Sequence, residues 1–421
     1  MTIKLKVVAM GNLKKFILWV MGLVLLVGIL FWCVRPVLTS RDNIPWMYWV
    51  GTVDANAIYS DFYWPDIEII NSIISTNGLN WPTTRPRRVP AEIWQRQVRW
   101  SDEIPRRATA ISFPYSNLHG TLDLSGLTEL TTIFAQWNDI TYINVSGLTE
   151  LTSLTIWRND LTSLDVSNLA QLTELDVRRN RLSSIYFNGS HKLTSLDLTS
   201  NELTSIDVSN LTALTSLYLG FNNLTQLDVS SLTELTSLNV SDNNLTELDV
   251  SSLTKLLTLS LGSNQITHLD ASGLTELTLL AAGFNNLTSL NISGSTAITD
   301  LFLHGNNLTE IDVSSLAELE HLSIGHNRLT CLDVSGLSYL YFLCAEDNYL
   351  TSLNLSGATA IGDLFVRNNH LTGLDIRELT SLSRLIINEN NLSGPDDVIG
   401  WQYLSDQVGR NSGAFRFYPQ R

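Results

Sequence analysis

The chain places an asparagine at Asn117, Asn138, Asn159, Asn180, Asn201, Asn222, Asn243, Asn264, Asn285, Asn306, Asn327, Asn348, Asn369 and Asn390, fourteen times at an unbroken spacing of 21. No helix or strand period yields 21. The repeating unit is therefore a whole supersecondary element that stacks on copies of itself, and what it can do depends on the surface the stack exposes.

Around Asn201, apolar residues occupy positions −8, −5, −3, +2, +5, +7 and +10 (Leu193, Leu196, Leu198, Leu203, Ile206, Val208, Leu211). Around Asn159 the same slots hold Leu151, Leu154, Ile156, Leu161, Leu164, Val166 and Leu169. The −5 and −3 residues alternate with polar neighbours, the signature of a strand with one buried face. An asparagine just past such a strand is expected to turn its amide toward unpaired backbone groups. The L-x-x-L-x-L-x-x-N-x-L run resembles the leucine-rich repeat, and the trailing LTSLDVSxLTx resembles the 21-residue bacterial variety of internalin-like surface proteins. The resemblance covers roughly Ala108 to Leu392. It implies a β-rich solenoid with a parallel sheet on its concave face. At position +6, Asp (Asp165, Asp207, Asp228 and others) is usually followed two residues on by Ser, which suits side-chain bonds closing the rear turn better than calcium binding.

Segments outside the repeats read as caps and an anchor. Lys4, Lys6, Lys14 and Lys15 precede a charge-free run from Phe16 to Val34, whose nineteen residues would span about 28 Å as a helix. The expected organisation is a basic cytoplasmic tail (1–15), a transmembrane signal anchor (16–34), a linker (35–60), an N-terminal cap (61–107), repeats (108–392) and a C-terminal cap (393–421). The charge bias favours repeats outside the cytoplasm, with secretion after signal cleavage as the alternative. Both caps are expected to be helical. Pro65, Asp66 and Glu68 open one helix with Ile67, Ile70, Ile73 and Ile74 on its apolar face, and Val398, Trp401, Leu404 and Val408 sit at helical spacing in the other. Helix, NGLNW and the tryptophans Trp81, Trp94 and Trp100 resemble the N-terminal cap of plant-type leucine-rich repeat proteins, without its cysteines. In the first repeat, Ile111 and Phe113 sit one residue early with Pro114 between them and Asn117, which predicts an edge strand with a bulge.

In leucine-rich repeats the residues at −6, −4, −2 and −1 line the concave side. Here most are small or polar, so departures are informative. Phe134, Gln136, Trp137, Trp157, Arg158, Arg178, Arg179, Tyr218 and Phe221 form one candidate ligand patch, since exposed Trp with Arg is the composition of binding hot spots. Phe302, His304, His321, His326, Phe342, Phe365 and Arg367 form a second, together with Cys344 and Glu346. Within it His304, His326 and Asp347 fall on successive strands, a weak metal candidate.

Residues 1–110 hold 13 Lys+Arg and 8 Asp+Glu, net +5, and the remainder 13 and 33, net −20. An acidic solenoid offers no basic stripe for nucleic acid. No metalloprotease, hydrolase, P-loop or dinucleotide motif is present, so no enzyme and no cofactor is expected. The reading is a membrane-anchored, extracytoplasmic protein that binds a protein or glycan ligand on its concave face, with adhesion as one use. A scaffold that spaces membrane partners is the alternative.

Overall fold

The computed structural model of the protein describes residues 61–79, 97–402 and 415–417. All belong to the larger of the two units into which the chain divides, Val53–Arg421. One sixteen-stranded sheet dominates it. Each repeat contributes a three-residue strand at positions −6 to −4. Ser195–Asp197, for example, pairs in parallel with Glu174–Asp176 on one side and Ser216–Tyr218 on the other, residue for residue at an offset of 21. The central leucine of each, such as Leu196 or Leu217, is buried, and the apolar slots fuse into one continuous core.

On the rear, short two-stranded pairings recur at +4 to +6, as between Ser163–Asp165 and Ser184–Tyr186. The turns that follow are closed by the +6 side chain. Asp165 Oδ1 accepts from the Ser167 N–H at 2.8 Å, and Asp207 Oδ1 accepts from both Ser209 Oγ at 2.7 Å and its N–H at 3.0 Å. Where Tyr186 replaces the acid, Ser190 donates from its buried Oγ to Val166 O at 2.7 Å. A threonine ladder at −7 adds further ties, with Thr152 Oγ1 donating to Thr131 O at 2.9 Å and Thr173 Oγ1 to Thr152 O at 3.0 Å.

The asparagines form an interior spine. Asn159 Nδ2 donates to Ile156 O in its own repeat at 3.0 Å and to Ala135 O in the preceding one at 2.9 Å. Its Oδ1 accepts from the Ile140 N–H at 3.0 Å. The same three bonds recur at each later asparagine to Asn390. Each interior −3 carbonyl therefore accepts from two asparagines. Asn117 stays outside this spine, exposed with φ 54°. The first repeat reaches its turn a residue early, since Ile111 pairs with Ile133 at an offset of 22. Asn138 opens the spine instead, its Oδ1 accepting from the N–H groups of Ser116 at 2.9 Å and Leu118 at 3.0 Å.

Helix α1 (Trp64–Thr76) begins with Pro65 and stops before Gly78, whose φ of 58° suits glycine alone at low cost. Its isoleucines Ile67, Ile70, Ile73 and Ile74 are buried. Asp66 is fully buried as well, gripped by Arg107 Nε at 3.0 Å and Nη2 at 3.2 Å, with the Ala108 N–H donating at 2.8 Å. A buried carboxylate survives because it is paired and fully bonded. Strand β1 (Val98–Trp100) runs antiparallel to β2 (Ala108–Ser112), with a register shift between Arg99 and Trp100. The first repeat strand, expected at the edge, is thus paired on both sides, and the bulge lies on it as expected, with Thr109 as the extra residue between Ala108 and Ala110. Trp81 and Trp94 lie outside the described residues.

Two parts of the expected fold class need correction. The C-terminal cap does not open as a helix: up to Gln402 only Trp401 and Gln402 are helical, and Leu404 and Val408 lie outside the described residues. Pro395–Asp397 makes a single 3-10 turn, Val398–Ile399 pairs in parallel with Leu374–Asp375, and Phe415–Arg416 adds the last strand beside Arg384–Ile386. Unpaired strand groups at the end of the stack are satisfied by further pairing, which takes Val398 into a strand. The second correction concerns the membrane helix. Residues 16–34 lie outside the described residues, and no helix among the described residues is long and apolar enough to cross a membrane. The described fold is a β-solenoid with one α-helix.

Candidate ligand-binding face

One backbone feature organises the open face of the long sheet. From the second repeat onward, position −1 is in the left-handed region: Trp137 (φ 60°), Arg158 (55°), Arg179 (55°), Phe221 (56°), Phe284 (54°), His326 (53°) and Asp347 (55°) among them. Gly305 is the one glycine in this column. The conformation costs an L-residue about 1–2 kcal/mol, yet large side chains are kept there and carried outward, Phe221 at 59% exposure and Phe284 at 47%.

Near α1 the column joins a stack of rings and guanidinium groups. Tyr115 stacks on Trp137 with centroids 5.1 Å apart, and Trp137 meets Trp157 edge-on at 5.4 Å. Arg158 lies 3.9 Å over the Trp137 ring and Arg178 lies 5.1 Å over Trp157. Arg178 is held by Asp176 at 3.4 Å and Asp197 at 3.7 Å. Beside the stack, Arg158, Arg179 and Arg181 with Asp139 and Asp160 line a polar depression of about 390 Å³, where Arg181 pairs with Asp160 at 2.9 Å. Trp137 Nε1 and Gln136 Oε1 are buried with no hydrogen-bond partner among the described residues. Of the residues singled out in sequence, Trp137, Trp157, Arg158 and Arg178 meet directly, and Arg179 lines the depression. Phe134, Tyr218 and Phe221 take no part in the stack. Sequence reasoning missed Tyr115, although it stands two residues before Asn117 in a column that lines the open face.

The second patch divides into two rows. In one, Phe284 meets His304 at 5.1 Å, His304 meets His326 at 4.7 Å, and His326 Nε2 lies 3.2 Å from Asp347 Oδ2. Burial and the neighbouring His326 charge push His304 down to about 4 against the pull of Asp347, so it is neutral at physiological pH. Burial and the Asp347 charge hold Glu346 above the usual carboxylate range, with His326 and Arg367 opposing. Arg367 pairs with Glu389 at 2.8 Å. In the other row, His321 Nδ1 lies 2.8 Å from Asp300 Oδ1. Phe342 sits 6.4 Å from His321 and 5.5 Å from Phe365, over which Arg384 lies at 5.7 Å. The bond to Asp300 raises His321 despite burial. Cys344 is pushed up to about 12 by burial and by the Glu346 charge. Phe302 stands half-buried in its strand, beside Ser323. The group able to hold a metal is His326, Glu346 and Asp347, whose ligand atoms lie within 4.8 Å of one another. His304, expected to be in that set, packs its ring against His326 instead.

Known proteins share this architecture. Family models for the leucine rich repeat match residues 170–224 and 234–256, and one for the LVIVD repeat matches 154–176. No curated protein sequence matches the chain. Among solved structures, the functional domain of InlJ from Listeria monocytogenes is 30% identical with a TM-score of 0.63, covering 74% of this chain and 73% of that one. A leucine-rich repeat protein from Leptospira interrogans is 25% identical with a TM-score of 0.61, over 69% and 80%. The plant peptide hormone receptor RGFR1, solved in complex with RGF2, shares the fold at 22% identity and a TM-score of 0.53, over 68% and 55%. The InlJ domain includes a cysteine ladder; this chain has three cysteines in all, and asparagine is its repeated interior polar residue.

Proposed function

This chain belongs to the internalin-like class of leucine-rich repeat proteins, and from that premise we propose that it is a binding protein whose ligand docks on the open face of the long sheet at the Tyr115–Trp137–Trp157 stack. The observation that carries the reading is the stack itself. Rings and guanidinium groups occupy columns that hold small or polar residues in most repeats, and they stack on one another across neighbouring repeats. Rigid aromatic anchors beside arginines concentrate binding energy at protein interfaces. The guanidinium groups of Arg158 and Arg179 over the depression favour a ligand with an acidic group next to an apolar one. A protein ligand is favoured, because repeat scaffolds of this kind act mainly through protein contacts, and a glycan is the other outcome of the test. The lysine-rich residues 1–15 and the charge-free run 16–34 support presentation outside the cytoplasm.

An array of proteins and glycans probed with the chain and with its Trp137→Ala/Trp157→Ala variant tests this. Partners lost only by the variant, with its circular dichroism unchanged, support the reading. Partners retained equally by both would place recognition elsewhere.

A further inference from the structure

We propose that His326, Glu346 and Asp347 form a divalent transition-metal site bridging two neighbouring repeats on the same open face, distinct from the aromatic stack and independent of the ligand reading. Three observations carry it. First, one imidazole and two carboxylates present ligand atoms mutually within 4.8 Å, with His326 Nε2 only 3.2 Å from Asp347 Oδ2. Nitrogen and oxygen donors sit about 2.0–2.2 Å from zinc, so small side-chain turns suffice to converge on one ion.

Second, the half-buried Glu346 carboxylate stands next to Asp347 on the same turn, and no hydrogen bond from a described residue reaches it. Two adjacent carboxylates with one imidazole leave negative charge that a cation neutralises. Third, the surroundings are shaped for the group. Asn368 Nδ2 donates to Asp347 Oδ1, which leaves Oδ2 as the oxygen facing His326. Position −2 of the His326 repeat is Gly325, where a Cβ would lie 3.1 Å from Glu346 O and 3.2 Å from His304 Nδ1. Glycine there lets His304 pack on the His326 ring at 4.7 Å and fix its orientation, the role that outer residues play around metal ligands. Three protein ligands leave at least one coordination position open toward solvent, which an acidic or imidazole side chain of a partner can fill.

Calorimetric titration of the full chain with Zn²⁺ alone is the test. One equivalent is expected to bind and to raise the melting temperature. His326→Gln and Glu346→Gln are each expected to weaken binding at least about tenfold, while His304→Phe, which keeps a packing ring, retains it. His191→Gln, at an exposed histidine outside the patch, is the control for non-specific uptake. Co²⁺ in place of Zn²⁺ should give visible absorption that both glutamine variants lose. No saturable one-to-one binding by the wild type, or unchanged affinity in the two glutamine variants, overturns the proposal.

Discussion

Removing one asparagine from the middle of the spine gives a sharply defined cost. In Asn243→Ala four bonds vanish: Nδ2 to Leu219 O at 3.0 Å, Nδ2 to Val240 O at 3.1 Å, Nδ2 to Ser241 O at 3.2 Å, and the Leu224 N–H to Oδ1 at 2.9 Å. The three carbonyls are not orphaned. Leu219 O still accepts from Asn222 at 3.0 Å, Val240 O from Asn264 at 2.9 Å, and Ser241 O from the Phe221 N–H at 2.9 Å. Only the buried Leu224 N–H loses its partner, so the loss should be about 1–3 kcal/mol, that of one unsatisfied buried donor. Asn138→Ala should cost more, because it strips acceptors from both Ser116 and Leu118. The neighbouring pair Asn222→Ala/Asn243→Ala should exceed the sum of its singles, since Leu219 O then has no side-chain donor, whereas Asn222→Ala/Asn306→Ala should be additive. Urea unfolding followed by circular dichroism, compared through midpoints, reads all of these. A loss below about 0.5 kcal/mol for Asn243→Ala, the scale of an ordinary surface change, or strict additivity in the adjacent pair, would refute the shared-carbonyl account.

Three further outcomes are expected. Trp137→Gly should be at least as stable as Trp137→Ala in chemical denaturation, because φ 60° suits glycine and both variants lose the stack, the relief being about 1 kcal/mol. The His321–Asp300 pair should make stability pH-dependent by about 0.5–1 kcal/mol, the scale of a part-exposed pair. His321 is raised, so its contribution is complete below the ordinary histidine range and fades as pH rises through its folded value. Asp300 is lowered, with bonds from His321 and Thr299 outweighing burial, so its contribution holds above the ordinary carboxylate range and fails as pH falls through its folded value. The stability gap between wild type and His321→Gln should therefore be wider at about pH 5.5 than at about pH 9, on either side of the histidine range, and an equal gap would contradict the pairing. Finally, an aromatic disulfide reagent at about pH 8 should modify the exposed Cys331 far faster than Cys344, whose thiol is pushed up to about 12.

The repeat was legible because its signal is redundant: Leu196 or Leu217 in any single copy could be misread, but not the same slots held across all copies. The turn geometry at −1 was not. That column holds Trp137, Arg158, Ser200, Phe221 and Asp347 with Gly305 alone as glycine, so composition gives no sign of a left-handed backbone that tertiary bonds impose. The threonine ladder at −7 was visible as Thr131, Thr152, Thr173 and Thr194, yet its role depended on knowing that Oγ1 faces the preceding repeat. Ile111 and Phe113, one residue early relative to Asn117, already announced in sequence the offset of 22 at which Ile111 meets Ile133. At the far end, Val398 stands at helical spacing from Trp401 but is drawn into a strand beside Leu374. The metal candidates were misjudged for a related reason: a column count cannot tell that His304 turns its ring to His326 while Glu346 comes within reach.

Because every interior coil hands the same donors forward and takes the same acceptors from behind, whole units are interchangeable parts. Excising residues 202–222 would set Asn201 directly before Asn223 and exchange one junction for another of the same kind. Deleting a single residue would instead break the junctions of the coil that holds it, while the coils beyond keep their own offsets; such a step is tolerated at the end of the stack, where Ile111 meets Ile133 at an offset of 22.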